Sequence, residues 1–323
     1  MLLRLWPEET KVSFMKVRFI ALIISVCALA ASAAMLSTRG LNLGIDFAGG
    51  SVIEIEEPEG VSTDDVRGII EPLGLGEITI NSARSTGADA VNLEVIRFKT
   101  QEPREGEDVE AAQQNANNRV RAALEEAYPD VIIRSSAAVG PKVSGELFRA
   151  GVTALGVALL LMMVYISIRF QWQYALGAVA ALFHDVILTM GMFALTGFEF
   201  NLATIAALLT IVGYSMNDTV IVFDRVREEA RKYKKLELSK VVDLAINATM
   251  SRTLLTSGTT LLALISIFVF GGPVLRGMSF GLIFGVVVGT YSSVFVASAV
   301  VLLLGIDRGD KPKREVEGFS GVS

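Results

Sequence analysis

The residues best suited to chemistry lie inside strongly apolar stretches of the sequence. Asp218 and Asn217 occur in "IVGYSMNDTVIVFD", and His184 and Asp185 occur in "LFHDVILTMG". Arg252 is near the start of a third stretch, "SRTLLTSGTTLLALIS". A charged side chain at the centre of a membrane helix disfavours insertion by about 2.5–3.5 kcal/mol, so such residues usually face the bundle interior and mark ion or proton pathways. These residue types therefore favour proton exchange inside a membrane.

Asp218 is the central candidate for proton coupling, with Arg252 and Asn217 as the residues expected to act with it. Burial disfavours the charged form of a carboxyl group, whereas a nearby guanidinium favours it. A carboxyl group held between these influences can take up and release a proton. The polar residues expected to support it, spaced by turns of helix, are His184, Asp185, Tyr214, Thr256 and Thr260.

Structural explanations stay open for two of these groups. Arg252 lies near one end of its apolar stretch, where a long cationic side chain can reach the membrane surface. His184 and Asp185 can form an internal hydrogen-bond network without exchanging a proton. The sequence contains no Walker motif, no nucleophile paired with a base and no metal-ligand spacing. We therefore expect neither a cofactor nor an enzymatic reaction.

The elements that must position these residues are membrane helices. The chain has 323 residues, of which 52% are hydrophobic, and the apolar residues are bunched. Six windows have the ~20 residues that are needed to cross a bilayer, or more. They span 18–36, 149–168, 174–196, 201–223, 253–271 and 277–304. The first window also resembles a secretory signal, but five further windows favour a retained anchor.

Lysine and arginine counts predict the orientation of the chain. They are concentrated before the first window, after the fourth and in the tail, so both termini are expected to be cytoplasmic. The predicted organisation is a cytoplasmic N-terminus (1–17), a first membrane helix (18–36), a periplasmic domain (37–148), a five-helix bundle (149–304) and a cytoplasmic tail (305–323). Within the bundle, 224–252 reads as a basic amphipathic helix or hairpin on the inner surface, attached to lipid or to a cytosolic partner.

The predicted periplasmic domain has the pattern of a small α+β fold. Stretches that alternate at period two, such as "SVIEIEE" and "AVNLEVIRF", are separated by helical stretches, and the order is β-α-β-β-α-β. This order is typical of a ferredoxin-like domain. Most acids of the chain, whose net charge is −5, fall here, so nucleic acid is not an expected partner.

Glycines mark two further features. "LGIDFAGGS" joins the first helix to the external domain, and we interpret Gly44, Asp46, Gly49 and Gly50 as a structural junction in which Asp46 bonds local amides. In the last window, one glycine in every four residues leaves one helix face nearly bare, which favours close helix packing within the bundle or across a subunit interface. These glycines are Gly277, Gly281, Gly285 and Gly289.

Four stretches together resemble the SecD/SecF family of protein-export membrane proteins in the RND superfamily, on its SecF side. They are "GIDFAGGS" (44–51), "HDVILTMG" (184–191), "VGYSMNDTVIVFDRVRE" (212–228) and "SRTLLTSGTTL" (251–261). The resemblance implies a six-helix RND-type half with an external ferredoxin-like domain between helices 1 and 2. It also implies that the family's membrane aspartate and arginine correspond to Asp218 and Arg252.

The same resemblance implies a function and its partners. It implies a heterodimer with SecD in the bacterial inner membrane that works with the SecYEG channel and SecA, with YajC and YidC as further candidate partners. The complex would assist translocation of unfolded secretory polypeptide, using the proton-motive force. Two alternatives stay open: a half-transporter that exports a small molecule or lipid, and a passive scaffold subunit.

Overall fold

The computed structural model describes residues 10–56, 61–76, 78–84, 91–101, 103 and 108–307. Residues 1–9 of the predicted cytoplasmic N-terminus and 308–323 of the predicted tail lie outside the described residues. In chain order the elements are α1 (Arg18–Thr38), α2 (Ile45–Ala48), β1 (Gly50–Glu56), α3 (Thr63–Ile70), β2 (Ile78–Arg84), β3 (Asn92–Phe98), α4 (Val109–Ala127), β4 (Ile133–Val139), α5 (Pro141–Arg169), α6 (Trp172–Thr196), α7 (Leu202–Lys232), α8 (Leu238–Phe270), α9 (Gly272–Ser292) and α10 (Ser298–Leu304).

The predicted six-helix membrane architecture is confirmed. Within the described residues, six helical spans are long and apolar enough to cross a membrane: α1, α5, α6, α7, α8 and the last span, in which α9 continues into α10. The most apolar windows of α6, α7 and the last span are 56% buried, against 17% or less for the other three. The first group therefore forms the centre of the bundle, and the second forms its rim. Large apolar side chains on the rim, such as Ile168 and Leu262, remain exposed for contact with lipid.

Local sequence signals explain where α7 begins. Asn201 caps it, because its side chain accepts a hydrogen bond from the Thr204 amide at 3.1 Å, and the Thr204 hydroxyl accepts one from the Asn201 amide at 3.4 Å. This reciprocal capping satisfies two backbone donors that would otherwise lack partners at the helix start. From this fixed start, α7 runs without a break for 31 residues. It spans the bundle from the end near the sheet to the opposite end.

Residues 224–252 do not form a separate surface helix. They comprise the end of α7, a short turn and the first half of α8. Val242 and Ala245 of α8 are fully buried in the same apolar cluster as Met15, whose amide donates to Asp243 at 2.9 Å. The apolar side of the predicted amphipathic segment therefore packs against the chain's own N-terminal segment.

The glycine face of α9 packs within the chain. A Cβ added at Gly281 would lie 3.0 Å from the Phe193 ring, and one at Gly289 would lie 3.1 Å from the Ser215 side chain. At Gly285 it would collide with Ile211. Of the two alternatives, the structure shows close packing inside the bundle, where α9 rests on α6 and α7. Gly277 extends this face to the loop before α7, where its nearest neighbour is the Glu199 carbonyl.

The predicted ferredoxin-like domain is confirmed by its sheet. Four antiparallel strands lie in the order β2-β3-β1-β4, so that β3 and β1 are central. Ile53 and Ile55 of β1 point to one face of this sheet and pack with Ile70 of α3 and Val120 of α4, and all four are fully buried. Helices on one face of a four-stranded antiparallel sheet are the expected result of the β-α-β-β-α-β order.

The junction between sheet and bundle is a built contact. Gly49 and Gly50 adopt positive φ values of 73° and 114°, which favour glycine. The Asp46 carboxylate accepts a hydrogen bond at 3.0 Å from the amide of Leu202, in the first turn of α7. The predicted partner was a local amide. The actual partner is distant in sequence because residues 42–44 pair with the loop before α7, where the Gly44 amide donates to the Phe200 carbonyl at 3.0 Å.

A second contact links the sheet to the same loop. Arg97 of β3 forms an ion pair with Glu199, and both side chains are mostly buried. The pKa of the neighbouring Glu54 carboxyl is raised above its ordinary 4.5, mainly because the group is partly buried. The positive charge of Arg97 lowers this pKa, and the negative charge of Glu199 raises it. Three ionisable groups at the sheet–bundle contact therefore share two negative charges and one positive charge.

We predict that Glu54→Gln stabilises the protein near neutral pH and has little effect at about pH 4. A carboxyl whose pKa is raised by folding adds stability below its unfolded pKa and loses that contribution as the pH rises through its folded pKa. Melting temperatures of the purified protein in detergent at both pH values test this. Arg97→Gln removes the one charge that lowers the pKa of Glu54. The pKa of Glu54 should then rise further, so the melting temperature should depend more strongly on pH. An equal effect of Glu54→Gln at both pH values would contradict the prediction.

Candidate functional site

Asp218 lies inside the bundle on the face of α7 that meets α8 and the last span. Its side chain is buried, and Oδ1 accepts a hydrogen bond from the Thr253 hydroxyl at 2.7 Å. Oδ2 is also buried and accepts no well-formed hydrogen bond in the described part of the chain, although the Ser293 hydroxyl lies near enough to act on the carboxyl group. A buried carboxylate oxygen without a partner is costly when the group is charged. Gain or loss of a proton at Asp218 therefore changes the energy of the surrounding packing.

Arg252 does not touch Asp218. Its side chain is exposed on α8 and forms no ion pair with Asp218. The guanidinium nevertheless lies near enough to act electrostatically on the Asp218 carboxyl group. Asn217, one residue before Asp218 on α7, is exposed. Of the three residues predicted to act together in proton coupling, only Asp218 is inside the bundle of this chain. The other two lie on faces that this chain leaves uncovered.

The polar face of α8 is rotated by one residue from the predicted one. Thr256 is exposed and donates to the carbonyl of Arg252 at 3.0 Å, and Thr260 is half-buried. The hydroxyls that face the bundle belong to Thr253 and Ser257, both buried. One residue corresponds to about 100° around a helix. Because threonine and serine occur on both faces of this stretch, spacing alone did not identify the inward face.

His184 and Asp185 form the second polar layer, and both are almost fully buried. His184 Nδ1 lies 2.9 Å from Asp185 Oδ1, while Asp185 Oδ2 accepts hydrogen bonds from Ser215 at 2.5 Å and Ser292 at 2.7 Å. Both oxygens of Asp185 therefore have partners, in contrast to Asp218. His184 Nε2 is buried and unpartnered within the described residues, and the ring stacks on Tyr291.

Hydroxyl groups connect the helices around these acids. Thr219 of α7 lies 2.8 Å from Ser293 in the last span. Tyr214 is the one predicted supporting residue, apart from His184 and Asp185, that lines this layer. Its hydroxyl donates to Ser257 of α8 at 3.3 Å. Ser257 in turn lies 2.8 Å from Thr290 of α9. The three central spans and α8 are thus joined by short polar links between buried or half-buried side chains.

A π-helical turn from Ser293 to Ala297 shapes this layer between α9 and α10. Such turns occur often at functional sites, because the extra residue redirects the side chains beside it. Here Ser292 faces Asp185 and Ser293 faces Thr219, although they are adjacent in sequence. The Ser298 hydroxyl donates to the Ser293 carbonyl at 3.0 Å and satisfies an acceptor that the wider turn exposes. The "YSSVFVAS" stretch carried no signal of this turn beyond its paired serines.

The arrangement can bind and release a proton inside a membrane bundle. It contains three groups that can carry a proton. They are Asp218, which has one oxygen without a well-formed hydrogen bond, Asp185, which is held by three partners, and His184, whose Nε2 is unpartnered within the described residues. The first of these groups sits at the contact between α7 and α8, and the other two sit where α6, α7 and the last span meet. A change of charge at Asp218 therefore acts most directly on the contact between α7 and α8.

Comparisons with known protein families agree with this architecture. Residues 119–307 match the model for the C-terminal region of the protein export membrane proteins SecD and SecF. Residues 34–56 match the model for the SecD/SecF GG motif. The second match covers the junction that contains Gly44, Asp46, Gly49 and Gly50.

Similar proteins carry translocase names. Protein translocase subunit SecF from Cereibacter sphaeroides is 45% identical over 314 residues, covering 97% of this chain and 95% of that protein. The Vibrio alginolyticus SecF is 39% identical over 316 residues, with 96% of both chains covered. Protein translocase subunit SecDF from Brucella abortus is 39% identical over 320 residues. These residues cover 97% of this chain and 40% of that longer protein.

Solved structures of SecDF share the fold. The crystal structure of the translocon-associated SecDF from Thermus thermophilus has a TM-score of 0.78 and 31% identity, and it covers 93% of this chain. A SecDF structure in a super-membrane-facing form has a TM-score of 0.67 and 32% identity. This chain spans 39% of each of these SecDF chains.

We predict that Thr253→Val destabilises the bundle by about 1–3 kcal/mol, because it removes the well-formed hydrogen bond that Asp218 accepts from Thr253. Thr256→Val is the matched control, since the Thr256 hydroxyl donates only to carbonyls of its own helix. Thermal unfolding of the purified variants in detergent gives the comparison. Equal destabilisation by the two substitutions would show that Thr253 is not the partner that supports Asp218.

Proposed function

We propose that this chain, which belongs to the SecD/SecF family of protein-export membrane proteins, couples proton movement to the translocation of unfolded polypeptide. Its family and its relatives make it a SecF-like protein translocase subunit and a multi-pass membrane protein. Within the proposal, it lies in the bacterial inner membrane with both termini cytoplasmic and the ferredoxin-like domain in the periplasm. It drives movement and catalyses no covalent reaction.

One observation carries the proton-coupling part of the proposal: Asp218 is buried, it accepts one well-formed hydrogen bond, from Thr253, and its second oxygen accepts none. A fully bonded acid such as Asp185 has three partners that fix its position. Asp218 has fewer constraints, and it lies at the contact between two helices that differ in burial. Protonation there removes a negative charge that acts on Thr253 and, at longer range, on Arg252.

The proton gradient supplies enough energy for such a switch. Moving one charge across 100 mV yields about 2.3 kcal/mol, and each pH unit adds about 1.4 kcal/mol. A two-state movement whose states differ by a few kcal/mol can be shifted by energies of this size.

The structure offers a short route from Asp218 to the external domain. Asp218 lies on α7, and the first turn of the same helix donates to Asp46 at the junction. The loop before α7 carries Glu199, which pairs with Arg97 of the sheet. A displacement of α7 therefore reaches the sheet through two direct contacts. We propose that protonation of Asp218 shifts α7 against α8 and moves the ferredoxin-like domain with them.

We further propose that a SecD protein supplies the other half of the machine. Asn217 and Arg252 are exposed on helix faces that this chain leaves uncovered, and a guanidinium facing lipid at membrane depth is costly. A partner bundle would cover both. In the Brucella and Thermus relatives, the region that matches this chain is about two-fifths of a longer SecDF chain. Because the solved Thermus SecDF is described as translocon-associated, we also propose the SecYEG channel and SecA as partners of the complex.

Asp218→Asn is predicted to abolish gradient-dependent translocation, because the amide keeps the shape of the side chain but does not exchange a proton. Asp224→Asn is the matched control. It makes the same change on the same helix, at an exposed acid that pairs with Arg169. The assay measures translocation of a secretory protein into inverted membrane vesicles with and without a proton gradient.

Assembly is measured in parallel by co-purification of SecD with each variant. Loss of gradient dependence with normal assembly supports proton coupling at Asp218. Normal gradient dependence in Asp218→Asn contradicts it. Loss of assembly together with activity favours the scaffold alternative, and flux of a small molecule without a secretory channel favours the half-transporter.

A further inference from the structure

A cavity lined by two arginines lies at the end of the bundle away from the sheet. It has a volume of about 120 Å³. It is formed where α6 begins, α7 ends and the chain leaves α10. The polar residues that line it are Gln171, Tyr174, Arg227, Arg231 and Asp307. This cavity is separate from the proton-coupling layer, and the inference drawn from it does not depend on the proposed function.

Most acids near the end of α7 are already paired with other arginines. Asp224 lies 3.1 Å from Arg169. Glu228 and Glu229 both pair with Arg225, at 2.8 Å and 2.7 Å. Each of these three acids therefore has an arginine partner outside the cavity, Arg225 being shared by two of them, and none of the three lines the cavity.

The two arginines of the cavity lack such partners. Arg227 and Arg231 are one helical turn apart, and neither has an ion pair or side-chain hydrogen bond in the part of the chain that the structure describes. Arg227 is half-buried, so its charge is partly removed from water. Among the described residues that line the cavity, Asp307 is the one acid, and its carbonyl accepts a hydrogen bond from the Gln171 amide at 3.3 Å. Within this described lining, two arginines therefore accompany one carboxylate.

The surroundings of the cavity place it at the edge of the apolar belt. Trp172, next to Gln171, is 60% exposed, and Leu303 of α10 is 58% exposed. Tryptophan is enriched where hydrocarbon meets the headgroups of a bilayer. An apolar surface beside a basic cavity matches the two parts of a phospholipid molecule.

We propose that Arg227 and Arg231 bind the phosphate of an anionic phospholipid headgroup. Arginine guanidinium groups bind phosphate oxygens through paired, charge-assisted hydrogen bonds. The amide of Gln171 supplies a further donor, and the acyl chains lie along Trp172 and Leu303. The acid Asp307 opposes the bound charge and keeps the affinity moderate.

The test is native mass spectrometry of the full-length protein in detergent, titrated with phosphatidylglycerol, phosphatidylcholine or inorganic phosphate. One phosphatidylglycerol is expected to be retained in preference to the other two ligands. The double variant Arg227→Gln/Arg231→Gln should weaken its binding by about tenfold or more, because two charge-assisted contacts are lost. Lys235→Gln/Lys240→Gln removes the same charge from two exposed residues outside the cavity, and it should leave binding nearly unchanged.

Asp307→Asn gives a test that does not depend on loss of binding. Removal of the opposing carboxylate should strengthen phosphatidylglycerol binding, which a misfolded variant would not do. Equal losses in the two double variants would overturn the site, since they would indicate a diffuse surface charge. Equal retention of phosphatidylcholine, or equally tight binding of inorganic phosphate, would overturn the assignment to an anionic lipid.

Discussion

A carboxyl group inside a membrane bundle must find hydrogen-bond donors or lose its charge, and the architecture of this protein depends on how it meets that requirement. The bundle contains two such groups with different solutions. Asp185 is held by His184, Ser215 and Ser292, so it joins three central elements. Asp218 accepts one well-formed hydrogen bond, from Thr253, and its second oxygen accepts none in the described part of the chain. The first solution stabilises one arrangement of helices, whereas the second leaves a group whose charge can change that arrangement.

The close packing of the central helices follows from the same requirement. Hydroxyl groups reach across a helix contact only when the backbones approach closely. The glycines of α9 permit this approach, since Gly285 faces Ile211 and Gly289 faces Ser215. Where α9 meets the π-helical turn, the consecutive Ser292 and Ser293 then face different partners, Asp185 on α6 and Thr219 on α7. Small residues and buried polar links therefore act together, as is common in membrane bundles.

Much of the architecture was predictable because its signals are local. Window length indicated the six spans, and period-two alternation interrupted by helical stretches indicated the order of the external domain. The site was less predictable, because it depends on rotation of helices about their axes. Spacing identified Asp218 but selected Thr256 instead of Thr253. The hydroxyls around Asp185 and the distant amide bound by Asp46 depend on which helices become neighbours, and a single sequence does not specify this.

The central claim is that Asp218 changes its protonation state inside the folded bundle. Infrared difference spectroscopy of the reconstituted protein between high and low pH measures this directly, because a protonated carboxyl group has a distinct carbonyl band. The account predicts that a band for a buried protonated carboxyl appears on acidification and is missing in Asp218→Asn. A band that persists in that variant, or no such band in the parent protein, would contradict the account.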